Sequence, residues 1–278
     1  MDNISIQDLI SSAIILVGVG GFIYWLACTE MGTRALVGSR VRRNGVGIYV
    51  PFILVVGWFI VVAAEVSAVY YLFDLEEPAI KSAAVNILMC INGIGLTVAI
   101  VFIARRYFVR GLKGFGLLGQ NVVKDAGAAT VNMVCVFPLV MAAVAATIYI
   151  GGWLYGEDFN FGEHSELTML KESGEWWVRA VIFATAVVFV PIFEEALFRG
   201  LTQSVIRSYV LKPWLAIFAT AMLFAIAHQD VAHWPALIVL GIALGYSYEK
   251  SGSLYRPIFI HMLFNGMSLV STLVENSG

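Results

Sequence analysis

Charged side chains are scarce in this chain. Aspartate, glutamate, lysine and arginine make up 13% of its 278 residues, whereas soluble domains carry about a quarter. Apolar residues reach 60% and fall into blocks of about twenty, the length that crosses a hydrocarbon core of roughly 30 Å. This pattern excludes a soluble domain and predicts an all-α, polytopic transmembrane helical bundle, because an open sheet cannot satisfy its backbone in lipid.

Three further absences narrow the functional classes. The net charge is −2 and no basic tract is present, so nucleic acid is not an expected partner. The three cysteines, Cys28, Cys90 and Cys135, are far apart and form no C-x-x-C pair, so no disulfide framework is expected. Asp2 and Asp8 precede the first apolar segment without any basic residue, which argues against a cleaved signal peptide.

Eight apolar segments are predicted to span the membrane. They cover approximately Leu9–Cys28, Gly47–Phe73, Ala83–Ala104, Ala126–Ile150, Trp177–Gly200, Trp214–His228, Trp234–Glu249 and Pro257–Leu273. The connections after the first, third, fifth and seventh segments are basic, and those after the second and fourth are acidic. Because basic connections stay in the cytoplasm, both termini are expected to face outward.

Polar residues divide the chain into three regions. Residues 1–150 hold four segments with few polar side chains and suggest no role. Residues 151–176 form an acidic connection that is expected to lie outside, and residues 177–278 hold four segments with most of the intramembrane polar residues. Since an ionisable residue within a span is costly and is often functional, the chemistry is expected in residues 177–278.

The fifth segment carries two consecutive acids, Glu194 and Glu195. Glu195 and Arg199 are four residues apart, so they share a helix face and can pair. Glu194 lies about 100° round the helix and can point into a cavity. Pro191 removes a helical hydrogen bond just before the pair and is expected to kink the helix.

Two later segments supply the remaining polar groups. If the fifth and sixth segments form a hairpin that turns near Pro213, His228 lies at a depth similar to that of Glu195. His261 and Asn265 are four apart and face the same way on the eighth segment. Since Arg256 closely precedes His261, that histidine reaches this depth only if its connection dips into the membrane or the turn at Pro213 protrudes.

These residue types suit peptide-bond hydrolysis. A carboxylate with a neutral histidine can hold and deprotonate water, which contributes roughly 10²–10⁴-fold. A second histidine and an asparagine amide can donate hydrogen bonds to the oxyanion, worth about 3–4 kcal/mol for a well-placed donor. The three segments together therefore contain every group that this reaction needs.

Three motifs resemble a known family. Glu-Glu-x-x-x-Arg at Glu194–Arg199, Phe-x-x-x-His at Phe224–His228 and His-x-x-x-Asn at His261–Asn265 are similar to the CPBP family, the CAAX prenyl proteases and bacteriocin-processing enzymes, also called Abi. The resemblance covers about Trp177 to Leu273, and eight spans resemble the type II CAAX prenyl endopeptidases. It implies a glutamate intramembrane endopeptidase in a bacterial cell membrane that acts on a peptide or protein substrate.

The resemblance also implies a role for each residue. Glu194 and His228 would activate the water, and His261 and Asn265 would form the oxyanion hole. Glu195 and Arg199 would orient the site. No cofactor is expected.

Four other interpretations stay open. The two histidines and a glutamate could bind zinc in a metalloprotease, although no His-Glu-x-x-His spacing is present. A transporter or proton relay also places acids within spans, but it predicts an inverted repeat, and none is visible. Bis-histidine haem binding would leave both glutamates unexplained. A scaffold or immunity protein could retain the residues without the activity.

Overall fold

A computed structural model describes residues 6–71, 77–117, 122–156, 159, 161–162, 175–228 and 230–275. Over these ranges the chain is helical and forms no β-strand, apart from an isolated bridge between Asn44 and Phe108. The prediction of an all-α protein is confirmed.

The described residues contain nine α-helices. In chain order they are α1 (Ile6–Cys28), α2 (Tyr49–Tyr71), α3 (Pro78–Tyr107), α4 (Gly111–Phe115), α5 (Val122–Tyr155), α6 (Trp176–Tyr209), α7 (Pro213–Ile226), α8 (Trp234–Ser251) and α9 (Tyr255–Glu275). Each of the eight predicted segments corresponds to one helix. The ninth, α4, is a five-residue helix within the basic connection that follows the third segment.

The helices have the length and the surface of a membrane protein. Five of them, α2, α3, α5, α6 and α8, are long and apolar enough to cross a bilayer, whereas the apolar parts of α1 and α7 are shorter. Outward-facing side chains are large and apolar; Leu16 and Phe102, for example, are 72% and 70% exposed. A soluble protein rarely exposes contiguous apolar surface on this scale. The chain is an integral membrane protein, and eight is an approximate count of its spans.

Proline and glycine set several helix ends. Pro78 and Pro213 occupy the first positions of α3 and α7, where the missing N–H would have had no helical partner. Gly252 ends α8 in the left-handed conformation with φ of 73°, and its N–H donates to the Tyr248 carbonyl. These sites explain why the segments begin and end close to the predicted positions.

The helices form two compact units, each assembled from three stretches of chain. Unit 1 comprises Met1–Val41, Gly119–Phe161 and Val210–Ile260, and unit 2 comprises Arg42–Leu118, Gly162–Tyr209 and His261–Gly278. The division falls within α9, between Ile260 and His261.

Unit 1 is built around α5 and the α7–α8 pair. Helices α1 and α8 pack on α5, and α7 packs along α8. Gly241 allows the α7–α8 approach, because a Cβ at that position would lie 3.0 Å from the Ala221 Cβ. Near the start of α7, the Trp214 ring stacks on Tyr246, which also accepts a hydrogen bond from the Trp25 indole at 2.9 Å.

Unit 2 packs α3 along α6, with α2 against α3. The apolar contact includes Ala83, Ile182 and Leu269 from three helices, all buried. Phe193, immediately before the two glutamates, packs against Trp58 with ring centroids 5.1 Å apart. It also lies on Gly93, where a Cβ would be 2.9 Å from the Phe193 ring. Helices α2 and α3 thus fix the start of the glutamate segment.

The predicted three-region division follows polarity along the sequence and stays a prediction. Residues 151–155 of the predicted acidic connection belong to α5. Five of its six acidic residues lie outside the described residues, namely Glu157, Asp158, Glu163, Glu166 and Glu172, and the sixth, Glu175, directly precedes α6.

Candidate active site

Helix α6 changes its hydrogen-bond register around the two glutamates. Thr185–Phe189 is π-helical, Val190–Glu194 is α-helical, and Glu195–Gln203 is π-helical again. Such wider turns are rare in proteins, and those that occur are often found at functional sites. In the second π segment every side chain is buried, and the Thr202 hydroxyl donates to the Leu197 carbonyl, five residues back, at 2.7 Å.

The first π segment has a local cause in the sequence. Pro191 has no N–H, so one helical bond is missing there. The Thr185 hydroxyl donates to the Val181 carbonyl at 2.8 Å, a contact that tends to bend helices. Cys90 Sγ lies 3.2 Å from Thr185 Oγ1, and the Cys90 thiol is the donor because the hydroxyl hydrogen already points to Val181.

Glu195 and Arg199 form the predicted ion pair. Arg199 Nη1 donates to Glu195 Oε1 at 2.9 Å, and both side chains have 0% exposure. Two buried charges are tolerated only when they are paired and hydrogen-bonded. The arginine therefore compensates the carboxylate within one helix rather than reaching for the membrane surface.

His261 contacts both glutamates from α9. Its Nδ1 lies 2.9 Å from Glu195 Oε1, and its Nε2 lies 3.8 Å from Glu194 Oε2. Since Glu195 is paired with Arg199 as a carboxylate, its oxygen accepts and the Nδ1 of His261 carries the hydrogen. The ring is thereby oriented with Nε2 toward Glu194, so His261 does reach the depth of the glutamates.

Glu194 is the second buried carboxyl of this cluster. Its residue exposure is 6%, and its Oε2 makes no hydrogen bond to any described residue. Arg199 hydrogen-bonds the neighbouring Glu195. Among the described residues Glu195 Oε2 also lacks a hydrogen bond, so each carboxyl group has an oxygen for a water molecule or a substrate group, but the other oxygen of Glu195 is held by Arg199 and His261.

Asn265 lies one turn after His261 on α9 and makes a contact that the sequence did not predict. Its Nδ2 donates to the backbone carbonyl of Ala186 in the first π segment at 2.8 Å. The predicted oxyanion role of Asn265 stays a prediction. This second hydrogen bond between α9 and α6 adds to the one made by His261.

His228 belongs to unit 1, just after the end of α7. Its Nδ1 lies 2.8 Å from the Phe224 carbonyl, and its own carbonyl accepts from the Trp234 indole at 2.8 Å. A carbonyl only accepts, so Nδ1 carries the hydrogen and the neutral ring has its lone pair on Nε2. That is the tautomer of a histidine able to take a proton at Nε2.

The part of the chain that the structure describes contains no candidate metal site. Within it, no group of three or more histidine, cysteine, aspartate or glutamate side chains is placed to hold a metal ion. The expectation that no cofactor is required stays a prediction.

Comparison with known proteins points to the same region of the chain. Residues 175–267 match the family model of Rce1-like proteins, described as type II CAAX prenyl endopeptidase Rce1-like. This stretch contains all three motifs from which the resemblance was predicted. The resemblance is confirmed for these residues.

Two curated bacterial proteins are similar to parts of this chain. An uncharacterized 24.3 kDa protein of Escherichia coli is 30% identical over 128 residues, covering 44% of this chain and 58% of the relative. The membrane-embedded CAAX protease MroQ of Staphylococcus aureus (strain USA300) is 26% identical over 84 residues, covering 30% of this chain and 34% of the relative. The chain thus spans less than two thirds of the length of each of these relatives, and no solved structure matches it.

Proposed function

With residues 175–267 forming an Rce1-like region, we propose that this integral membrane protein is an endopeptidase that hydrolyses a peptide bond within the bilayer. One observation carries the proposal, namely the buried cluster in which His261 contacts both glutamates while Arg199 compensates one of them. The similarity to MroQ, a membrane-embedded CAAX protease, supports the same activity.

Glu194 is the proposed base. Amide hydrolysis begins when a base removes a proton from the attacking water, and the base must lie within hydrogen-bond reach of that water. Glu194 has an oxygen with no hydrogen bond among the described residues, whereas an oxygen of Glu195 is held by Arg199. The two adjacent acids therefore have different proposed tasks: Glu195 is tied through one oxygen to Arg199 and His261, and Glu194 serves the water.

Glu195 is proposed to hold His261 in position for the oxyanion. With Nδ1–H bonded to Glu195, the Nε2 of His261 faces the side of Glu194, and a proton held there would be donated to the substrate oxygen. A carboxylate that orients a histidine and stabilises its cationic form is a recurring arrangement in hydrolases. The developing negative charge on the substrate oxygen would then meet a donor in a site buried from bulk solvent.

His228 is proposed to carry a proton during the reaction. Its Nδ1 hydrogen is committed to the Phe224 carbonyl, so Nε2 is the nitrogen that would take over the water proton from Glu194 and give it to the leaving amine. Histidine is the most frequent side chain in this role.

The substrate is proposed to be a peptide or protein that reaches the cluster from the membrane. The buried position of the glutamates and the apolar surfaces of the surrounding helices favour a substrate with an apolar or membrane-inserted segment.

The test compares newly formed protein termini in membranes of cells that contain the wild type, Glu194→Gln or Glu65→Gln. Glu65 is the matched control, because it is a partly buried acid in the apolar helix α2. We expect a set of termini in the wild type and in Glu65→Gln that falls at least about 100-fold in Glu194→Gln, the lower end of a general base contribution.

Two results would contradict the proposal. The first is that no terminus differs between wild type and Glu194→Gln when both proteins accumulate equally. The second is that Glu65→Gln removes the same termini as Glu194→Gln, because the loss would then reflect a general effect of removing intramembrane acids.

A further inference from the structure

The carbonyl of Ala186 lacks a donor from its own helix. At the end of the first π segment the Val190 N–H donates to the Thr185 carbonyl, five residues back. The next bond of this series would join residue 191 to the Ala186 carbonyl. Residue 191 is proline, which has no N–H, so the sequence itself leaves this carbonyl without its backbone partner.

The side chain of Asn265 supplies the missing donor. Its Nδ2 lies 2.8 Å from the Ala186 oxygen, at a partly buried position, and it comes from a different helix. Backbone carbonyls in a membrane must be satisfied internally, because lipid offers no hydrogen bond. The amide of asparagine is suited to this task, since a carboxylate of the same size could only accept.

This bond lies one turn from the His261–Glu195 bond. His261 and Asn265 are four residues apart on α9, and their partners, Glu195 and Ala186, both lie on α6. One contact between two helices leaves them free to rotate about it. Two contacts a turn apart fix both the rotation and the height of α9 on α6.

We infer that Asn265 is a positioning residue that replaces the N–H missing at Pro191 and thereby holds His261 against the two glutamates. The inference rests on the proposed function for its catalytic consequence, but not for the hydrogen bond itself. It differs from an oxyanion role, in which Asn265 would act on the substrate and Pro191 would be irrelevant.

The test is a double-mutant cycle of wild type, Asn265→Ala, Pro191→Ala and the double variant. With an N–H restored at position 191, the Ala186 carbonyl gains a backbone donor: that N–H if the π register persists, or the Val190 N–H if the turn becomes α-helical. The loss of stability and of cleavage caused by Asn265→Ala should therefore depend on which residue occupies position 191.

Thermal unfolding of the purified proteins in detergent is the first measurement. We expect Asn265→Ala to lower the midpoint of thermal unfolding by several degrees when residue 191 is the native proline. In the Pro191→Ala background the same substitution should lower it by less than half as much. Asn265→Asp should lower the midpoint at least as much as Asn265→Ala, because it places an acceptor against the carbonyl. Equal losses in both backgrounds would overturn the inference.

The second measurement is the abundance of the termini that Glu194→Gln abolishes. Asn265→Ala is expected to reduce them at least tenfold beside Pro191, and less than threefold in the Pro191→Ala background. An equal reduction in both backgrounds would assign Asn265 to the substrate and refute the positioning role. If Pro191→Ala does not accumulate, Pro191→Leu restores the same N–H and serves in its place.

The two proposals fail in different ways. If the unfolding midpoints are coupled but no termini depend on Glu194, the hydrogen-bond replacement stands and the endopeptidase proposal fails. If termini depend on Glu194 but neither measurement shows coupling, the endopeptidase proposal stands and the inference about Asn265 fails.

Discussion

His261 and Glu195 are joined by a 2.9 Å hydrogen bond between Nδ1 and Oε1, although 66 residues separate them in the sequence. Arg199 donates to the same oxygen, also at 2.9 Å. One carboxylate oxygen therefore connects an arginine on its own helix with a histidine on another. Any change to one of these three side chains should alter the other two, because they share a single acceptor.

Removing Arg199 alone should destabilise the protein more than removing both Arg199 and Glu195. Arg199→Leu leaves the fully buried Glu195 uncompensated and should lower the free energy of unfolding by about 3–5 kcal/mol. Adding Glu195→Leu to that variant should recover part of the loss. Denaturant titration in mixed micelles measures both changes.

An exposed ion pair gives the control. Arg34 and Glu30 are also four residues apart, but their side chains are 70% and 56% exposed, so Arg34→Leu should change the free energy of unfolding by at most about 1 kcal/mol. A double variant less stable than Arg199→Leu would contradict the role of Arg199 as compensation for Glu195.

The histidines that follow α7 should differ in their effect on cleavage. His228→Ala should reduce the Glu194-dependent termini by about 100-fold or more, because a general acid–base group is lost. His233, five residues later, bonds Asp230 at 2.8 Å and packs on Phe161, so His233→Ala should reduce them less than tenfold. A larger effect of His233→Ala would move the proton-carrying role to that residue.

Gly200 should not tolerate a side chain. A Cβ at this position of α6 would overlap the ring of Phe115 on α4, so Gly200→Ala should lower the free energy of unfolding by about 1–3 kcal/mol. Adding Phe115→Leu to this variant should restore part of the lost free energy of unfolding, because the smaller side chain leaves room for the new methyl group.

Gly57→Ala on α2 is the matched control for this change. A Cβ at Gly57 meets nothing within 4 Å, and alanine favours a helix over glycine by up to about 1 kcal/mol. Gly57→Ala should be neutral or slightly stabilising in the same denaturant titration. Equal losses for both glycine variants would show that Phe115 does not matter.

Chelation tests the zinc alternative directly. We expect the Glu194-dependent termini to persist when solubilised membranes are treated with EDTA and 1,10-phenanthroline, because carboxylate and histidine groups suffice for the proposed reaction. Loss of the termini, with recovery after zinc is added, would replace the proposal with a metalloprotease.

The sequence predicted the helices well because hydropathy and length decide them in lipid. All eight segments correspond to helices, and the prolines and Gly252 explain several of their ends. It did not predict α4, whose five residues in a basic connection are too few to produce a hydrophobic period. It also did not predict the π segments, because the apolar pattern of α6 does not distinguish 3.6 residues per turn from a wider turn.

The residues of the site were predicted better than their contacts. The spacing of Glu195 and Arg199 predicted their pair, because both lie on one helix face. The sequence did not indicate that His261 would contact both glutamates, since that depends on how α9 sits against α6. The Asn265 contact was missed for a different reason, because its partner is a backbone carbonyl that no side-chain pattern reveals.

The positions of these residues along the chain determine when the cluster can form during biosynthesis. Glu195 and Arg199 can pair as soon as α6 forms, but His261 belongs to the last of the three stretches that build unit 2. At about 5–20 residues per second, the 66 residues between Glu195 and His261 take roughly 3–13 s to synthesise. During that interval the ribosome carries a chain with both acids and no His261, so the proposed hydrolytic centre cannot be assembled before α9 has been synthesised.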